Sequence, residues 1–170
     1  MIKIMPVDDV VPRAAVAARQ FATSERMAVA FAGATPDTAM LVQRLDRRDS
    51  YYYIVPFKVG GRETARMTMD ATDATFLEAS GIEKPGEQLP AYVPAPVMLR
   101  RLYAEADRFA DTLRFLIRDG AVGQHPVLVW MPCAESSSPF LPFYQYSIGD
   151  TFLYYRVDGA RFEQLTTGPA

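Results

Sequence analysis

The sequence predicts an α+β fold, in which one or more antiparallel sheets pack on a long helix. Strand-like runs rich in Tyr, Phe and Val occur in two parts of the chain, each broken by a glycine-containing turn. A long apolar stripe at helical spacing lies between them. With 170 residues and 49% hydrophobic content, the chain can bury a core without disulfide or metal. Two related helix-plus-β-hairpin halves are expected.

The first 50 residues predict helices. Pro12 suits the first position of a helix, and the residues after it recur at helical spacing: Ala14, Ala17, Ala18 and Phe21. Over 26–32 the alternation of Met27, Val29 and Phe31 fits a strand, whereas the alanines favour a short helix that ends before Gly33. Thr35-Pro36-Asp37 has the composition of a helix start, followed at helical spacing by Thr38, Leu41, Val42 and Leu45. That helix would end in the charged run 46–49.

A β-hairpin is predicted where runs 51–57 and 62–70 flank Gly60-Gly61. Counting from the glycines pairs Val59 with Arg62, Lys58 with Glu63, Pro56 with Ala65, Ile54 with Met67, and Tyr52 with Met69. The opposite face would be half-covered or an interface, and it carries Tyr51, Tyr53, Val55 and Phe57. Pro56 lacks an amide donor and suits an edge or a bulge. A short helical turn is predicted from Ala71 to Gly81.

The organisation predicted is an N-terminal part (1–80), a Pro-rich connection (81–96) and a C-terminal part (97–170), together one compact unit. The main core helix would run over 97–119, with an apolar stripe of Leu99, Leu102, Tyr103, Ala106, Phe109, Leu113 and Leu116.

A four-stranded antiparallel meander is predicted over 127–131, 143–148, 151–157 and 160–165. Counting from its two turns places Tyr144 opposite Tyr155, Tyr146 opposite Leu153, and Tyr155 opposite Phe162. The other face is more polar and nearer solvent, with Ser147 opposite Phe152, Gln145 opposite Tyr154, and Tyr154 opposite Glu163.

The loop 132–142 interrupts this meander and collects the nucleophile-type side chains. The candidate binding residues in and around it are Trp130, Cys133, Glu135, Ser136, Ser137, Ser138, Phe140, Phe143 and Tyr144. A packed small hydrophobe is the favoured interpretation of Cys133, and core packing is favoured for Trp130 and the tyrosines.

No catalytic residue is assigned. His125 and Cys133 flank a predicted strand, which would hold them on the order of 20 Å apart, beyond the reach of a catalytic dyad. A serine hydrolase lacks its G-x-S-x-G motif here, no phosphate-binding loop occurs, and one Cys with one His cannot hold a metal. No cofactor or metal is therefore expected.

Charge and hydropathy limit the classes of partner that the protein is expected to bind. With 18 basic and 20 acidic residues, the net charge is −2, and no basic run is long enough to follow a phosphate backbone. No stretch approaches the roughly 18 apolar residues of a membrane span, and the first residues do not resemble a signal peptide. A soluble, cytoplasmic protein that binds neither nucleic acid nor membrane is expected.

The two halves resemble each other, since Val55-Pro56-Phe57 before one glycine turn matches Leu141-Pro142-Phe143 before another. A helix followed by the run Y-Y-Y-I-V-P-F, a glycine turn and a strand leading into D-A-T-D-A resembles a PepSY-type unit. P-F-Y-Q-Y-S-I-G-D and Y-Y-R-V-D-G would form a second copy, which departs from the pattern by its Ser/Pro insertion. The resemblance implies a noncatalytic binding or regulatory module and supplies no catalytic residues.

The function expected is therefore a noncatalytic binding module, whose aromatic sheet face and Ser/Pro loop contact a peptide, a protein or a second copy of the chain. Edge strands beside a Pro-rich loop suit a homodimer. One alternative is a hydrolase-type enzyme that uses Cys133 or the serines 136–138, with Glu135 as acid or base. The other is a small-molecule pocket between the long helix and the sheet.

Overall fold

The structure is a computed structural model that describes residues 2–24 and 27–167. The chain divides into two compact units, Met1–Ala91 (the N-terminal unit) and Tyr92–Ala170 (the C-terminal unit). Helices and antiparallel strands occur in both, which confirms the α+β class. The division falls inside the predicted Pro-rich connection. No helix in the described ranges is long and apolar enough to span a membrane.

The N-terminal unit packs two helices against one antiparallel sheet. Its elements are α1 (Val7–Phe21), α2 (Ala28–Phe31), β1 (Thr35–Pro36), β2 (Met40–Arg44), β3 (Tyr51–Val59), β4 (Arg62–Asp70) and β5 (Phe76–Gly81). The strand order in this unit is β5-β4-β3-β2, and β1 also pairs with β3.

The two N-terminal helices differ in how well they were predicted. The first helix begins at Val7 rather than at Pro12, which lies inside it. The acids Asp8 and Asp9 in its first turn favour the earlier start, because they interact with the positive end of the helix dipole. The short helix before Gly33 is confirmed as α2, although Arg26, where it was predicted to begin, lies outside the described residues.

The helix predicted after Thr35-Pro36-Asp37 is wrong. Thr35 and Pro36 form β1, and Met40–Arg44 forms β2, whose Val42 lies opposite Tyr52 of β3. Val42 is fully buried, whereas Leu41 and Leu45, which the helical pattern placed on the same face, are each 37% exposed. The charged run 46–49 is therefore the turn into β3 rather than a helix end. Pairing with β3 supplies the backbone hydrogen bonds that a helix would otherwise make locally.

The hairpin of β3 and β4 is confirmed, with Gly60 and Gly61 at positive φ in its turn. The predicted pairs hold only next to the turn, at Val59–Arg62 and Lys58–Glu63. A β-bulge between Phe57 and Lys58, beside Pro56 as that residue's missing amide suggested, shifts the register by one residue. Beyond it the pairs are Phe57–Ala65, Pro56–Arg66, Val55–Met67, Ile54–Thr68, Tyr53–Met69 and Tyr52–Asp70.

The bulge decides which face of this hairpin is the core. Tyr53, Val55 and Phe57 now share a face with the buried side chains of β4, and this face packs against buried residues of α1 and α2. The Tyr53 hydroxyl donates to the Met5 carbonyl at 2.8 Å. The face predicted to be half-covered or an interface is thus the centre of the N-terminal core.

The helical turn predicted over 71–81 is wrong as well. The Asp70 carboxylate accepts from the Thr72 amide at 2.7 Å, and the Asp73 carboxylate accepts from the Thr75 amide at 2.8 Å. Such local bonds form tight turns rather than a helix cap. The chain then continues as β5, which pairs with β4.

The C-terminal unit also places helices before an antiparallel meander. Its elements are α3 (Ala95–Ala104), a 3-10 turn (Ala106–Arg108), α4 (Asp111–Arg118), β6 (Val127–Trp130), β7 (Phe143–Ile148), β8 (Thr151–Arg156) and β9 (Arg161–Phe162). The strand order in this unit is β6-β7-β8-β9. Whether the two units are related copies stays a prediction.

The single long helix predicted over 97–119 is wrong, because the chain leaves the helical conformation at Phe109 (φ −92°, ψ 159°). Phe109 is 4% exposed, and the Arg161 guanidinium lies 4.5 Å from its ring centroid. Glu105, one turn earlier, pairs with the same Arg161. These contacts with β9 hold the break between α3 and α4 in place.

The predicted register of the meander is confirmed for β7 and β8, where Tyr144 lies opposite Tyr155 and Ser147 opposite Phe152. At β9 it is wrong by one residue, since Phe162 lies opposite Tyr154. The Arg156 amide donates to the Ala160 carbonyl at 2.8 Å, so three residues form this turn instead of the two assumed.

The aromatic face of the meander is the core of the C-terminal unit. Tyr144, Tyr146, Leu153 and Tyr155 pack there with buried residues of α3 and α4. Burial raises the pKa of Tyr146 and of Tyr155 to about 12, so both phenols are neutral at physiological pH.

The difference in burial between two side chains of α4 provides a test of the orientation of this helix. Ile117 is fully buried, whereas Phe115 on the same helix is 67% exposed. We expect Ile117→Ala to lower the free energy of unfolding by about 2–5 kcal/mol, because it leaves a cavity. The matched Phe115→Ala should change it by no more than about 0.5 kcal/mol. Urea denaturation of both variants measures the difference, and equal effects would contradict this orientation of α4.

Candidate functional site

The loop between β6 and β7 is closed by its own backbone. The Cys133 amide donates to the Ser136 carbonyl at 3.1 Å, and the Ser136 amide donates to the Cys133 carbonyl at 3.2 Å. This reciprocal pair makes a tight turn over residues 134 and 135. Six of the nine predicted site residues lie in this loop: Cys133, Glu135, Ser136, Ser137, Ser138 and Phe140.

Ser136 holds the loop together through its side chain. It is 3% exposed, and its hydroxyl donates to the Leu141 carbonyl at 2.9 Å, with the Ser138 carbonyl at 3.2 Å. The Ser138 hydroxyl in turn accepts from the Phe140 amide at 3.3 Å. Ser137 is exposed and carries no such bond among the described residues. Two of the three serines are therefore structural.

Glu135 is tied to the end of the described chain. Its carboxylate accepts from the Thr166 hydroxyl at 2.6 Å and from the Thr166 amide at 2.9 Å. These bonds lower the pKa of the Glu135 carboxyl. The Glu135 carbonyl accepts from the Arg156 guanidinium, which also pairs with Asp158 at 2.8 Å. With a lowered pKa and both oxygens bonded, Glu135 is poorly suited to act as a general acid or base.

Cys133 has the environment of a packed cysteine. It is 8% exposed, and burial, together with the neighbouring Glu135 carboxylate, raises the pKa of its thiol. His125 is exposed and precedes β6, which spans residues 127–130, whereas Cys133 follows this strand. The predicted strand that separates His125 from Cys133 is therefore present, which argues against a Cys–His dyad.

The predicted aromatic residues are inside the protein. Trp130, Phe140, Phe143 and Tyr144 are all at most 9% exposed. The alternation along β7 separates two of them: Tyr144 belongs to the core with α3 and α4, whereas Phe143 packs edge-on against Tyr154 and Phe162 on the opposite side. These rings are therefore not grouped around one ligand site.

The outer face of the meander has an exposed surface whose side chains are not among the candidate residues. The candidate Phe143 lies on the same side of β7 but is buried. The outer face consists of Val127 on β6, Gln145 and Ser147 on β7, and Phe152 and Tyr154 on β8. Val127 is 50% exposed and Phe152 is 47% exposed. The register counted from the Gly149-Asp150 turn had already placed four of these residues on the side nearer solvent. Val127 was missed because its pairing with Gln145 spans the irregular loop.

The comparisons do not add to this geometry. No family model, no curated protein and no solved structure matches the chain. The PepSY-type resemblance therefore stays a prediction. In residues 2–24 and 27–167 there is also no group of three or more His, Cys, Asp or Glu side chains placed to hold a metal ion.

The environment of Cys133 predicts slow reaction with thiol reagents. Because only the thiolate reacts, and burial raises the pKa of this thiol, alkylation of the folded protein at pH 7 should be at least about tenfold slower than in denaturant. Mass spectrometry after timed iodoacetamide treatment measures both rates. Rapid labelling of the folded protein, with an apparent pKa below the usual thiol range, would revive a nucleophilic role.

The loop serines provide a matched pair of substitutions. Ser136→Ala should lower the free energy of unfolding by about 1–2 kcal/mol, because it leaves the Leu141 carbonyl without its donor. Ser137→Ala, at an exposed neighbouring position, should change it by no more than about 0.5 kcal/mol. Chemical denaturation of both variants measures this, and an unchanged stability of Ser136→Ala would argue against its structural role.

Proposed function

We propose that this protein is a noncatalytic module that binds another polypeptide through the outer face of the meander, with the Ser/Pro loop beside it. The observation that carries the proposal is the half-exposure of Val127 and Phe152 on the outer face of the sheet. The loop would contribute contact surface rather than a reactive group, because the Ser136 hydroxyl and the Cys133 thiol both donate to backbone carbonyls within the loop.

The composition of the outer face supports a polypeptide partner. Its five side chains are uncharged and combine apolar, aromatic, amide and hydroxyl groups. The Gln145 amide donates to the Tyr154 hydroxyl at 3.2 Å, which orders both side chains before binding. Depletion of charge and enrichment in aromatic residues are typical of the centre of a protein interface.

A second copy of the chain is the partner that we infer. Two-fold pairing brings a surface against itself, so a charged face would meet its own charge. The five side chains of the outer face include no acidic or basic residue. Arg156, the next residue on this side of β8, is paired with Asp158 at 2.8 Å. A homodimer is also consistent with the regulatory role that the PepSY-type resemblance implies.

The alternatives have weaker support. A hydrolase would need an activated Cys133 or Ser136, yet the pKa of the thiol is raised and the hydroxyl donates to a backbone carbonyl. A small-molecule pocket between the helices and the aromatic face has little space, since Leu102, Ile117 and Tyr146 are fully buried there. We also infer a cytoplasmic location, which the single cysteine supports.

Light scattering across a concentration series tests the proposal. The wild-type mass should rise from 19.0 kDa towards twice that value. Phe152→Glu should keep the protein monomeric, because pairing would bury the new carboxylates. Phe115→Glu is the control, since it adds the same charge at an exposed residue away from the outer face. A strictly monomeric wild type, or equal effects of the two substitutions, would contradict the proposal.

A further inference from the structure

The free edge of β5 is a second surface able to pair with another chain. In the described part of the chain, β5 pairs only with β4. The Glu78 amide donates to the Thr68 hydroxyl at 3.1 Å, and the Ile82 amide donates to the Thr64 carbonyl at 2.9 Å, so both point towards β4. Because backbone direction alternates along a strand, the amides and carbonyls of Ala79 and Gly81 point away from β4. They form the edge that an added strand would use.

A groove of about 670 Å³ lies beside this edge. Its walls include Phe21 at the end of α1, Met27 before α2, and Phe76 of β5. The rings of Phe21 and Phe76 lie 4.9 Å apart, so they form one apolar surface. A chain extended along Ala79 and Gly81 would place alternate side chains in the groove and direct the others away from it.

The charge around the edge indicates what kind of chain would bind. Between Asp70 and Glu87 the sequence has one basic residue, Lys84, and five acidic residues: Asp70, Asp73, Glu78, Glu83 and Glu87. The whole chain is nearly balanced, with 18 basic and 20 acidic residues, so this segment is locally acidic. A second copy paired along β5 would bring one acidic segment against another, which is unfavourable. A basic segment is electrostatically complementary.

We propose that the free edge of β5 binds a basic, extended peptide as an additional strand, with its apolar side chains in the groove. Main-chain hydrogen bonds to Ala79 and Gly81 would provide affinity, while the groove and the carboxylates would provide selectivity, as in other cases of strand addition. The bulge at β5, where Glu78 lies opposite Thr68 but Phe76 opposite Met69, limits regular pairing to the part after Leu77. This site lies in the N-terminal unit and is independent of the outer face.

A labelled hexapeptide of alternating lysine and valine, capped at both ends, is the probe. Fluorescence anisotropy should show binding to the wild-type protein that is weakened at least about tenfold by Glu78→Lys with Glu83→Lys. The control carries Asp119→Lys with Glu163→Lys, which makes the same charge change at exposed positions in the C-terminal unit and should bind as the wild type does. The same peptide with N-methylated valines should bind at least about tenfold more weakly, because it cannot donate to the edge.

Three results would overturn this proposal. One is the absence of binding up to about 1 mM peptide, the limit of weak association. Another is equal binding of the N-methylated peptide or equal binding to both charge variants, either of which would indicate nonspecific attraction. The third is self-association that Ala79→Pro abolishes and Phe152→Glu leaves intact, which would assign the edge to a second copy. The outer-face proposal is tested separately, by light scattering of the wild type, Phe152→Glu and Phe115→Glu. Either proposal can therefore fail without the other.

Discussion

Strand register is the constraint on which the rest of this structure depends. Side chains alternate between the two faces of a strand, so a shift of one residue exchanges the buried set for the exposed set. In the N-terminal unit, the bulge between Phe57 and Lys58 makes this choice and places Tyr53 and Val55 against the helices. In the C-terminal unit, the Gly149-Asp150 turn does so and buries Tyr146 and Tyr155. The core of each unit follows from these positions.

The same alternation determines which surface is left for binding. Tyr144 and Phe143 are neighbours in sequence, yet they belong to opposite sides of β7, and neither is accessible. The exposed side chains of that sheet, Val127 and Phe152, belong to the outer face, on the other side of the sheet from the tyrosines of the core. Counts of aromatic residues indicated that this region was unusual, but aromatic content is a property of the core as much as of an interface.

The loop 132–142 shows why nucleophile-type residues do not by themselves make an active site. Ser136 donates to a backbone carbonyl, Glu135 accepts from Thr166, and burial raises the pKa of Cys133. Each group is used to close a loop that has no regular hydrogen-bonding pattern of its own. A catalytic group needs a partner that activates it, and the strand between His125 and Cys133 separates the one imidazole from the one thiol.

The residues of the turns explain which hairpins could be predicted from the sequence. Gly60-Gly61 and Gly149-Asp150 specify hairpins without outside help, and the pairs nearest each turn were predicted correctly. The segments predicted as helices at 35–49 and 71–81 were wrong because short runs with apolar residues at mixed spacing fit either structure. Their strands, β2 and β5, are stabilised by pairing with β3 and β4. The sequence pattern within one segment gives no information about the strand that will pair with it.

The sequence alone determined the α+β class, the β3–β4 hairpin, the β7–β8 hairpin with its register, and the irregular loop before β7, since each depends on turn residues or on periodicity within one segment. Only the tertiary structure decided the break at Phe109, the position of the bulge near Pro56, the strand character of β2 and β5, and which face of the β3–β4 hairpin is the core. These features depend on contacts between residues far apart in the chain, such as Arg161 with Phe109 and Val42 with Tyr52. The free energy of such contacts is realised only when both segments are in place.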